Sequence, residues 1–430
     1  MSEMTSLSDA HARRVLVVAA TCHPERGSEP GLGWNWLRHI AAHHDVVAIV
    51  GESEGNRAAI DRALAADPVL AARLRFVFVP WFDEPREGIS GLLWQYYQPL
   101  YYRAYRRWMD KAYAEAERLC RGERFDLAHQ LTMIGFREPG FPWRLPIPVV
   151  WGPVGGVQNV PWRCLPALGG VEACRHLARN VINSIQVRHH RRFRHALAKA
   201  STVFAVDSTT QEALRRFHGR ESTLVAAALC DPDHPRRRVR VRGDGPLRLV
   251  FSGLHLSRKG LPFVLQALAH LPPSASWTLD VLGHGIMSAS WQRKAERLGL
   301  ADRVAFHGYV PRERVIEIMD RGEVYVFPSL LEGWPTVIAE SLSLGMPVVT
   351  TDLHGMRDMV TPSCGRLVPA EGPGSIITGL RQAICGLLDN PALVTRLSEG
   401  AIERANELTA AKQMPKVMRA YEEAIRVAAM

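Results

Sequence analysis

Short apolar runs alternate with amphipathic stretches along the chain. Near the start, the run RRVLVVAATC at 13–22 has the valine enrichment of a strand that is buried on both faces. Further strand-like runs follow at intervals that leave room for helices: HDVVAIVG, RLRFVFVPW, FDLAHQLT, IPVVWGPVGG and STVFAVDST. This alternation is typical of βαβ units and predicts a parallel sheet.

The segment LCDPDHPRRRVRVRGDGP at 229–246 interrupts this alternation. It is rich in Pro, Asp, Gly and Arg and has no helical periodicity, so we interpret it as a linker. A second series of strand-like runs then follows: LRLVFSG, WTLDVLGHG, RVAFHGYV, VYVFPS and PVVTTD. The chain is therefore predicted to form two doubly wound α/β domains, at 1–235 and 236–410. A final helix at about 410–430 is expected to pack back on the first domain, and ligands are expected in the cleft between the domains.

Composition narrows the class of protein. With 47% hydrophobic and 22% charged residues, the chain is globular rather than collagen-like or disordered. Its apolar runs are too short to span a membrane, and its first residues lack the pattern of a secretory signal. The seven cysteines include no CxxC pair. We therefore expect a reduced cytoplasmic protein without a zinc site or a disulfide framework.

The net charge of +10 is unevenly distributed. Residues 151–200 contain eight Arg or Lys and a single acid, Glu172, and the basic residues are densest at 188–194. Such a patch can meet phosphates, an anionic membrane or nucleic acid. The alternative is an ordinary solvated helix face.

The most informative segment is VFPSLLEGWPTVIAESLSLGMPVVTTD at 326–352. It predicts a strand, a loop with Glu332, and a helix that is capped by Thr336 and carries Glu340. The first turn of such a helix offers free N–H groups to an anion. Each carboxylate can accept two sugar hydroxyls, so the pair suits recognition of a ribose and a hexose. In the alternative interpretation, Glu332 caps the helix and Glu340 is an exposed surface residue.

A second segment, FSGLHLSRKG at 251–260, places adjacent cations in the loop after a strand. Arg258 and Lys259 can neutralise a diphosphate and stabilise the charge that develops as it departs. The alternative is a basic pair on the surface before a helix.

The spacing Glu332–GWPTVIA–Glu340 resembles the E-x7-E motif of the retaining glycosyltransferases of family 4, which have the GT-B fold of two Rossmann-like domains. The resemblance extends over most of the chain and is more specific in the second half. It implies that Glu340 holds the nucleotide ribose and that Glu332 contacts the donor sugar. The catalytic residues it implies are Glu332, His129, Arg258 and Lys259. The donor-binding residues it implies are Gly31, Gly33, Gly253, Arg258, Lys259, Gly308, Tyr309, Glu332, Gly333, Thr336, Val337 and Glu340.

Some of these positions depart from the family pattern or have an alternative explanation. In the family pattern G-R-L-x-x-x-K-G the arginine position is Leu254 here, and Arg258 can supply the missing contact. Gly31 and Gly33 lie in a predicted glycine-rich loop after the first strand, where the backbone can approach a phosphate or sugar. His129 is predicted to end a strand at the cleft, close to the donor sugar. It can equally be a hydrogen-bonded histidine with no role in the reaction.

The resemblance implies a retaining, metal-independent hexosyltransferase without a cofactor. Its donor is a nucleoside diphosphate sugar, and its acceptor is a hydroxyl of a glycan, a lipid-linked sugar or a small molecule. We expect a role in bacterial polysaccharide, glycolipid or natural-product glycoside biosynthesis and no nucleic-acid partner. The alternatives are a sugar-nucleotide epimerase of the same fold and a non-catalytic membrane-associated protein.

Two segments raise the question of a membrane. The basic stretch at 188–194 is expected to contact anionic lipid, which would place the protein at the inner face of the membrane. The aromatic segment at 91–113 is expected to cover the acceptor, to rest on lipid head groups, or to pack in the core.

Overall fold

The computed structural model describes residues 12–53, 55–81 and 98–430. Its first sheet is wholly parallel, with the strand order β3-β2-β1-β4-β5-β6-β7. These strands are β1 (Arg14–Val18), β2 (Asp45–Glu52), β3 (Leu74–Pro80), β4 (Leu127–Gln130), β5 (Val149–Val154), β6 (Thr202–Ala205) and β7 (Thr223–Leu224). The helices between them are α1 (Ser28–Ala41), α2 (Asn56–Ala66), α3 (Pro68–Arg73), α4 (Gln98–Gly122), α5 (Gly170–His189), α6 (Arg191–Lys199) and α7 (Ser208–His218).

The second sheet is also parallel, with the order β10-β9-β8-β11-β12-β13. Its strands are β8 (Leu247–Ser252), β9 (Trp277–Leu282), β10 (Val304–Gly308), β11 (Val324–Phe327), β12 (Val348–Thr351) and β13 (Gly365–Val368). The remaining helices are α8 (Leu261–Ala269), α9 (Ser288–Arg297), α10 (Arg312–Arg321), α11 (Thr336–Ser343), α12 (His354–Met359), α13 (Pro373–Asp389), α14 (Pro391–Glu407) and α15 (Ala410–Ala428). Short 3-10 helices occur at Pro142–Arg144, Trp162–Leu168 and Ser257–Lys259.

Strand β1 shows why its sequence is apolar throughout. Val15 and Val17 face a core that includes residues of α1 and α15, whereas Leu16 and Val18 face a core that includes α4. Successive side chains of a strand point to opposite faces, so a strand covered on both sides needs apolar residues at every position.

The order of the strands predicts where a ligand binds. In each sheet the chain first builds outward on one side and then crosses to the other, between β1 and β4 and between β8 and β11. At such a switch point the loops diverge and leave a crevice beyond the carboxyl ends of the strands. The loops that follow β8 and β11 contain Arg258 and Glu332.

The last helix returns to the first sheet. Met414, Val417 and Tyr421 of α15 belong to the same apolar core as Val15 and Val17 of β1. The chain therefore crosses between the two sheets a second time, after α14.

The two halves of the molecule also share a core. Val160, Leu165 and Val206 of the first half belong to the apolar cluster that surrounds the second sheet. Hydrogen bonds reinforce this contact: Ser208 N donates to Asp358 Oδ2 over 2.7 Å, and His354 Nε2 lies 3.0 Å from the carbonyl oxygen of Asn159. The halves are thus closed against each other on the β6 side.

The aromatic segment at 91–113 lies partly outside the described residues. Tyr105 and Trp108 of α4 are buried in the core of the first sheet, and the Trp108 indole N–H donates to the carbonyl oxygen of Val79 over 3.2 Å. Core packing therefore explains these two rings, rather than cover for an acceptor or contact with lipid.

Candidate functional site

Glu332 lies at the centre of a compact ionic cluster. Its Oε1 accepts hydrogen bonds from Arg258 Nη1 and Lys259 Nζ, both over 2.7 Å, and from Ser329 Oγ over 2.8 Å. Its Oε2 forms no hydrogen bond within the part of the chain that the structure describes. One carboxylate oxygen is thus fixed, and the other remains available to a ligand.

The protonation of this cluster follows from its burial. Burial alone would raise the pKa of Glu332, but Lys259 and Arg258 together hold that pKa below its usual range. Burial lowers the pKa of Lys259 more than Glu332 raises it. Lys259 also lies 4.9 Å above the ring of Phe327 at the end of β11. The cluster carries two cations and one anion, and its charge is poorly screened by water.

Glu340 occupies a different part of the interdomain region. It lies on α11 with its Oε1 2.7 Å from Arg312 Nη1, and its side chain is 31% exposed. Both residues line a cavity of about 760 Å³ between the two halves of the molecule. Gly31 and Thr336 line the same cavity. Glu332 does not line it. This volume is typical of sites for small ligands.

The buried Tyr325 of β11 is affected by both carboxylates. Burial, and then Glu340 and Glu332, raise the pKa of its hydroxyl well above the usual value. The hydroxyl donates to the carbonyl oxygen of Ser252 over 2.9 Å. Both carboxylates therefore act electrostatically on the same group in β11.

The glycines of the first half lie in a helix and not in a loop. Gly31 and Gly33 are within α1, which begins at Ser28. A Cβ atom on Gly31 would collide with the carbonyl oxygen of Arg26, and one on Gly33 with that of Thr21. Glycine is needed here because the helix start packs directly on the turn after β1. Both glycines are buried, but Gly31 lines the cavity and Gly33 does not.

The start of α11 differs in one detail from the sequence expectation. Pro335 is the N-cap residue, without a side-chain cap, and Thr336 is the first helical residue. Thr336 therefore does not cap the helix, and the first-turn N–H groups keep their capacity for a ligand. Val337 packs against the core of the second half, and Gly333 lies against the start of α12.

Glycines and one exposed ring mark the neighbouring strand ends. Gly253 after β8 and Gly308 at the end of β10 both have positive φ, at 149° and 68°. Tyr309 is 79% exposed, and its ring lies 5.5 Å from that of His284 in the loop after β9. The role of Gly253, Gly308 and Tyr309 in donor binding therefore stays a prediction.

The structure contradicts the placement of His129 beside a donor sugar. The ring is completely buried within β4, with Nδ1 2.6 Å from Tyr421 Oη and Nε2 2.8 Å from the carbonyl oxygen of Gly152. Burial lowers its pKa to about 4, so the ring is neutral at neutral pH. Because a carbonyl only accepts, Nε2 carries the proton and Nδ1 accepts from Tyr421. His129 therefore connects β4 to α15 and does not face the cleft.

Sequence reasoning missed two cations. Arg312 follows the strand-like run RVAFHGYV and was not among the predicted site residues, yet it pairs with Glu340. Arg179 of α5 was counted only as part of a basic surface, yet it is half-buried and donates to the carbonyl oxygen of Gln158 over 2.9 Å. Arg312 could have been identified only by its position opposite Glu340, the predicted ribose residue. No feature of the sequence identified Arg179.

The basic stretch at 188–194 does not form a uniform patch. Arg192 lies 3.2 Å from Glu138, and the Arg188 guanidinium lies 4.2 Å above the ring of Phe217. Arg191 and Arg194 are exposed. Two of the four arginines thus have contacts within the fold.

The described residues contain neither a candidate metal site nor a membrane-spanning helix. No group of three His, Cys, Asp or Glu side chains is arranged to hold a metal ion. No helix in the described ranges is long and apolar enough to cross a membrane.

The second half of the chain is similar in sequence to known proteins. Residues 234–404 match the family model of the glycosyl transferases group 1. This region contains the Arg258, Lys259 and Glu332 cluster as well as Glu340 with Arg312. An α-D-kanosaminyltransferase of Streptomyces kanamyceticus is 26% identical over 222 residues, or 48% of this chain and 56% of the relative. The chain thus spans about half the length of this curated relative.

The fold of the whole chain is similar to solved structures. The lipopolysaccharide outer core galactosyltransferase WaaB superposes with a TM-score of 0.60 at 14% identity, covering 96% of this chain and 99% of that one. HepE of Anabaena in complex with UDP gives a TM-score of 0.60 at 15% identity, with coverage of 95% and 99%. These likenesses, together with the two parallel sheets, confirm the predicted GT-B fold.

Proposed function

We propose that the chain is a retaining glycosyltransferase that transfers a hexose from a nucleoside diphosphate sugar to an acceptor hydroxyl. The observation that carries this proposal is the arrangement of Arg258 and Lys259 around Glu332 at the carboxyl end of the second sheet. The family match of residues 234–404 and the two-domain fold support it.

The ionic cluster fits the diphosphate and the sugar of a donor. Arg258 and Lys259 provide two cations for the phosphate oxygens, at the point where negative charge develops when the nucleoside diphosphate leaves. In the proposed complex, Oε2 of Glu332 accepts a hydroxyl of the hexose while Oε1 remains bound to the cations. Glu332 thereby positions the sugar relative to its leaving group.

The cavity beside the cluster fits a nucleoside. Glu340 would accept the ribose hydroxyls, and Arg312 would hold its carboxylate in place. The HepE structures contain UDP and, in a separate complex, UDP-glucose. UDP-linked hexoses are therefore the first donors to test.

Retention is proposed to proceed by front-face attack. The acceptor oxygen bonds to the anomeric carbon on the face from which the phosphate departs, and the acceptor proton passes to a phosphate oxygen of the leaving group. The phosphate thus serves as the base. His129 cannot serve, because it is completely buried and both ring nitrogens are hydrogen-bonded. No step in this scheme requires a metal ion or a cofactor.

The test measures nucleoside diphosphate release from a panel of sugar nucleotides, with and without sugar acceptors. We expect release from one nucleotide class and a large fall in turnover for Lys259→Gln, because a donor to the leaving phosphate is lost. Arg293→Gln, which changes an exposed residue of α9, is the matched control. Release that is equal in the two variants would contradict the assigned site. Epimerisation of the donor without acceptor would instead support the epimerase alternative.

We also propose that the first half of the molecule contacts an anionic membrane through α5. One face of this helix is buried, at His176, Asn180, Asn183 and Val187. Its opposite face exposes an apolar stripe, which consists of Leu177, Val181, Ile182 and Ile185. The exposed Arg191 and Arg194 follow at the end of the stripe. An apolar stripe beside exposed cations is the composition of a helix that lies in a membrane interface.

A further inference from the structure

Two arginines of the first half are linked near the cleft, because Asn183 contacts both Arg137 and the carbonyl oxygen that Arg179 binds. Arg137 lies in the loop after β4, and Arg179 lies on α5, and both are half-buried. Arg137 donates from Nη2 to Asn183 Oδ1 and from Nε to Gln186 Oε1. Arg179 donates from Nη1 to the carbonyl oxygen of Gln158 over 2.9 Å. All these acceptors are neutral.

The surrounding cations, in contrast, have carboxylate partners. Within the described ranges, neither Arg137 nor Arg179 forms an ion pair with an acid. The neighbouring ion pairs are Arg106 and Arg192 with Glu138, Arg175 with Glu172, and Arg258 and Lys259 with Glu332. The acids of these pairs are therefore already bound, and Arg137 and Arg179 have no carboxylate partner among the described residues.

Keeping these charges close together costs free energy. Burial, and then the nearby Arg137 and Arg258, lower the pKa of Arg179 to about 10. Arg258, a cation of the proposed diphosphate site, is among the groups that lower this pKa. An anion bound between the two arginines would offset this repulsion.

A purely structural role does not account for the charge of Arg179. The carbonyl oxygen of Gln158 also accepts from Asn183 Nδ2 over 3.3 Å, and Asn183 donates to the carbonyl oxygen of Val157 over 2.8 Å. A neutral amide thus already holds the backbone that Arg179 contacts. The positive charge of Arg179 is not needed for that task.

We propose that Arg137 and Arg179 form a subsite for a phosphate or carboxylate group of the acceptor. The proposal rests on the proposed glycosyltransferase function and adds the acceptor class: a hydroxyl compound that carries an anionic group, such as a sugar phosphate or an acidic sugar. Guanidinium groups bind both anions through paired hydrogen bonds. The subsite belongs to the first half of the molecule, next to Arg258, where an acceptor would approach the donor.

The experiment follows the melting temperature as inorganic phosphate, or separately acetate, is added at constant ionic strength. It uses the wild-type protein saturated with its preferred nucleoside diphosphate, and the ligand-free Lys259→Gln variant, in which the donor phosphate site is weakened. A ligand that binds the native state raises the melting temperature in a saturable manner. We expect saturation in both samples, and the stronger of the two anions identifies the acceptor group.

The variants Arg137→Gln and Arg179→Gln, each combined with Lys259→Gln, separate this subsite from the donor site. We expect each to weaken anion binding at least about tenfold, as for the loss of a charged hydrogen bond. Arg188→Gln, on the same helix and also combined with Lys259→Gln, should bind the anion as tightly as the Lys259→Gln parent does. Anion binding that is absent from the parent, or unchanged in both arginine variants, would overturn the subsite. Failure of every nucleoside diphosphate to stabilise the wild-type protein would contradict the proposed function instead.

Discussion

At the scale of single residues, the ion pair between Glu340 and Arg312 allows the proposed recognition of the nucleoside to be tested apart from the chemistry. We predict that Glu340→Gln weakens nucleoside diphosphate binding about tenfold, because a carboxylate that accepts ribose hydroxyls is replaced by a weaker acceptor. The effect should appear in KM for the donor more than in kcat, since the ribose is remote from the reacting bond. Calorimetric titration of the nucleotide measures it directly.

The control for this prediction is Glu317→Gln. Glu317 lies on α10 and pairs with Arg314, so the exchange removes a carboxylate from an ion pair in the same half of the molecule. Equal nucleotide affinity in the Glu340 variant and the wild-type protein would refute the ribose assignment. An equal loss in both variants would point to a general charge effect rather than to a specific contact.

Residues differ in how far their sequence position reveals their role. Arg258, Lys259 and Glu332 follow the ends of recognisable strands, and parallel strands bring such loops to one edge. Arg137 and Arg179 are separated by 42 positions and meet only because α5 packs on the loop after β4. A single sequence does not reveal which helix face turns inward, so their juxtaposition could not be predicted.

At the scale of secondary-structure elements, β4 shows how a strand can mislead. Its residues LAHQ are all buried, so alternation of polar and apolar positions does not identify the face of His129. The ring turns toward α15, an element almost 300 positions later in the chain. The same limit applies to α1, where GSEPGLG is typical of a loop although Gly31 and Gly33 lie in a helix.

The hydrogen bond between His129 and Tyr421 leads to a prediction about pH. The folded-state pKa of His129 is lowered from 6.5 to about 4. As the pH falls below 6.5, the unfolded chain binds a proton that the folded chain excludes until pH 4. The stabilisation is therefore complete above pH 6.5 and is lost toward pH 4, by up to about 3 kcal/mol in the free energy of unfolding.

We predict that His129→Gln lowers stability at pH 7 but loses less stability than the wild-type protein between pH 7 and pH 4. Urea denaturation at several pH values measures the difference. Nucleotide affinity of the folded variant should be unchanged, because His129 does not reach the cleft. A loss of donor binding without a change in stability would restore His129 to the donor site.

At the scale of the whole molecule, the tandem α/β architecture is the best-predicted feature. The central apolar runs, such as Val149–Val154 and Val324–Phe327, are buried on both faces, and the parallel sheet is the arrangement that provides this. The closure between the halves was not predictable in detail. It depends on apolar contacts such as Val160 and Val206 with the second core, which no local pattern identifies as interdomain residues.

The last prediction concerns attachment of the whole molecule to a membrane. We expect co-sedimentation with anionic vesicles at low salt, and little with neutral vesicles or at high salt, because the cations beside the α5 stripe add to its apolar contact. The exposed Arg191 and Arg194 should each contribute about 1 kcal/mol, so Arg191→Gln with Arg194→Gln should weaken binding about thirtyfold. Leu177→Ser with Ile185→Ser should weaken binding to the same vesicles by removing apolar burial.

Matched controls lie on the second half of the molecule, where Ile286 is 50% exposed and Arg293 is also exposed. Ile286→Ser with Arg293→Gln removes the same kinds of side chain from a surface that is not proposed to face lipid. Vesicle binding should be retained in this variant, because neither residue belongs to the α5 stripe or to the cations that follow it. Absence of wild-type binding, or an equal loss in both sets of variants, would contradict the membrane contact. If the wild-type protein sediments as a dimer and Leu177→Ser with Ile185→Ser sediments as a monomer, a second copy of the chain covers α5 instead.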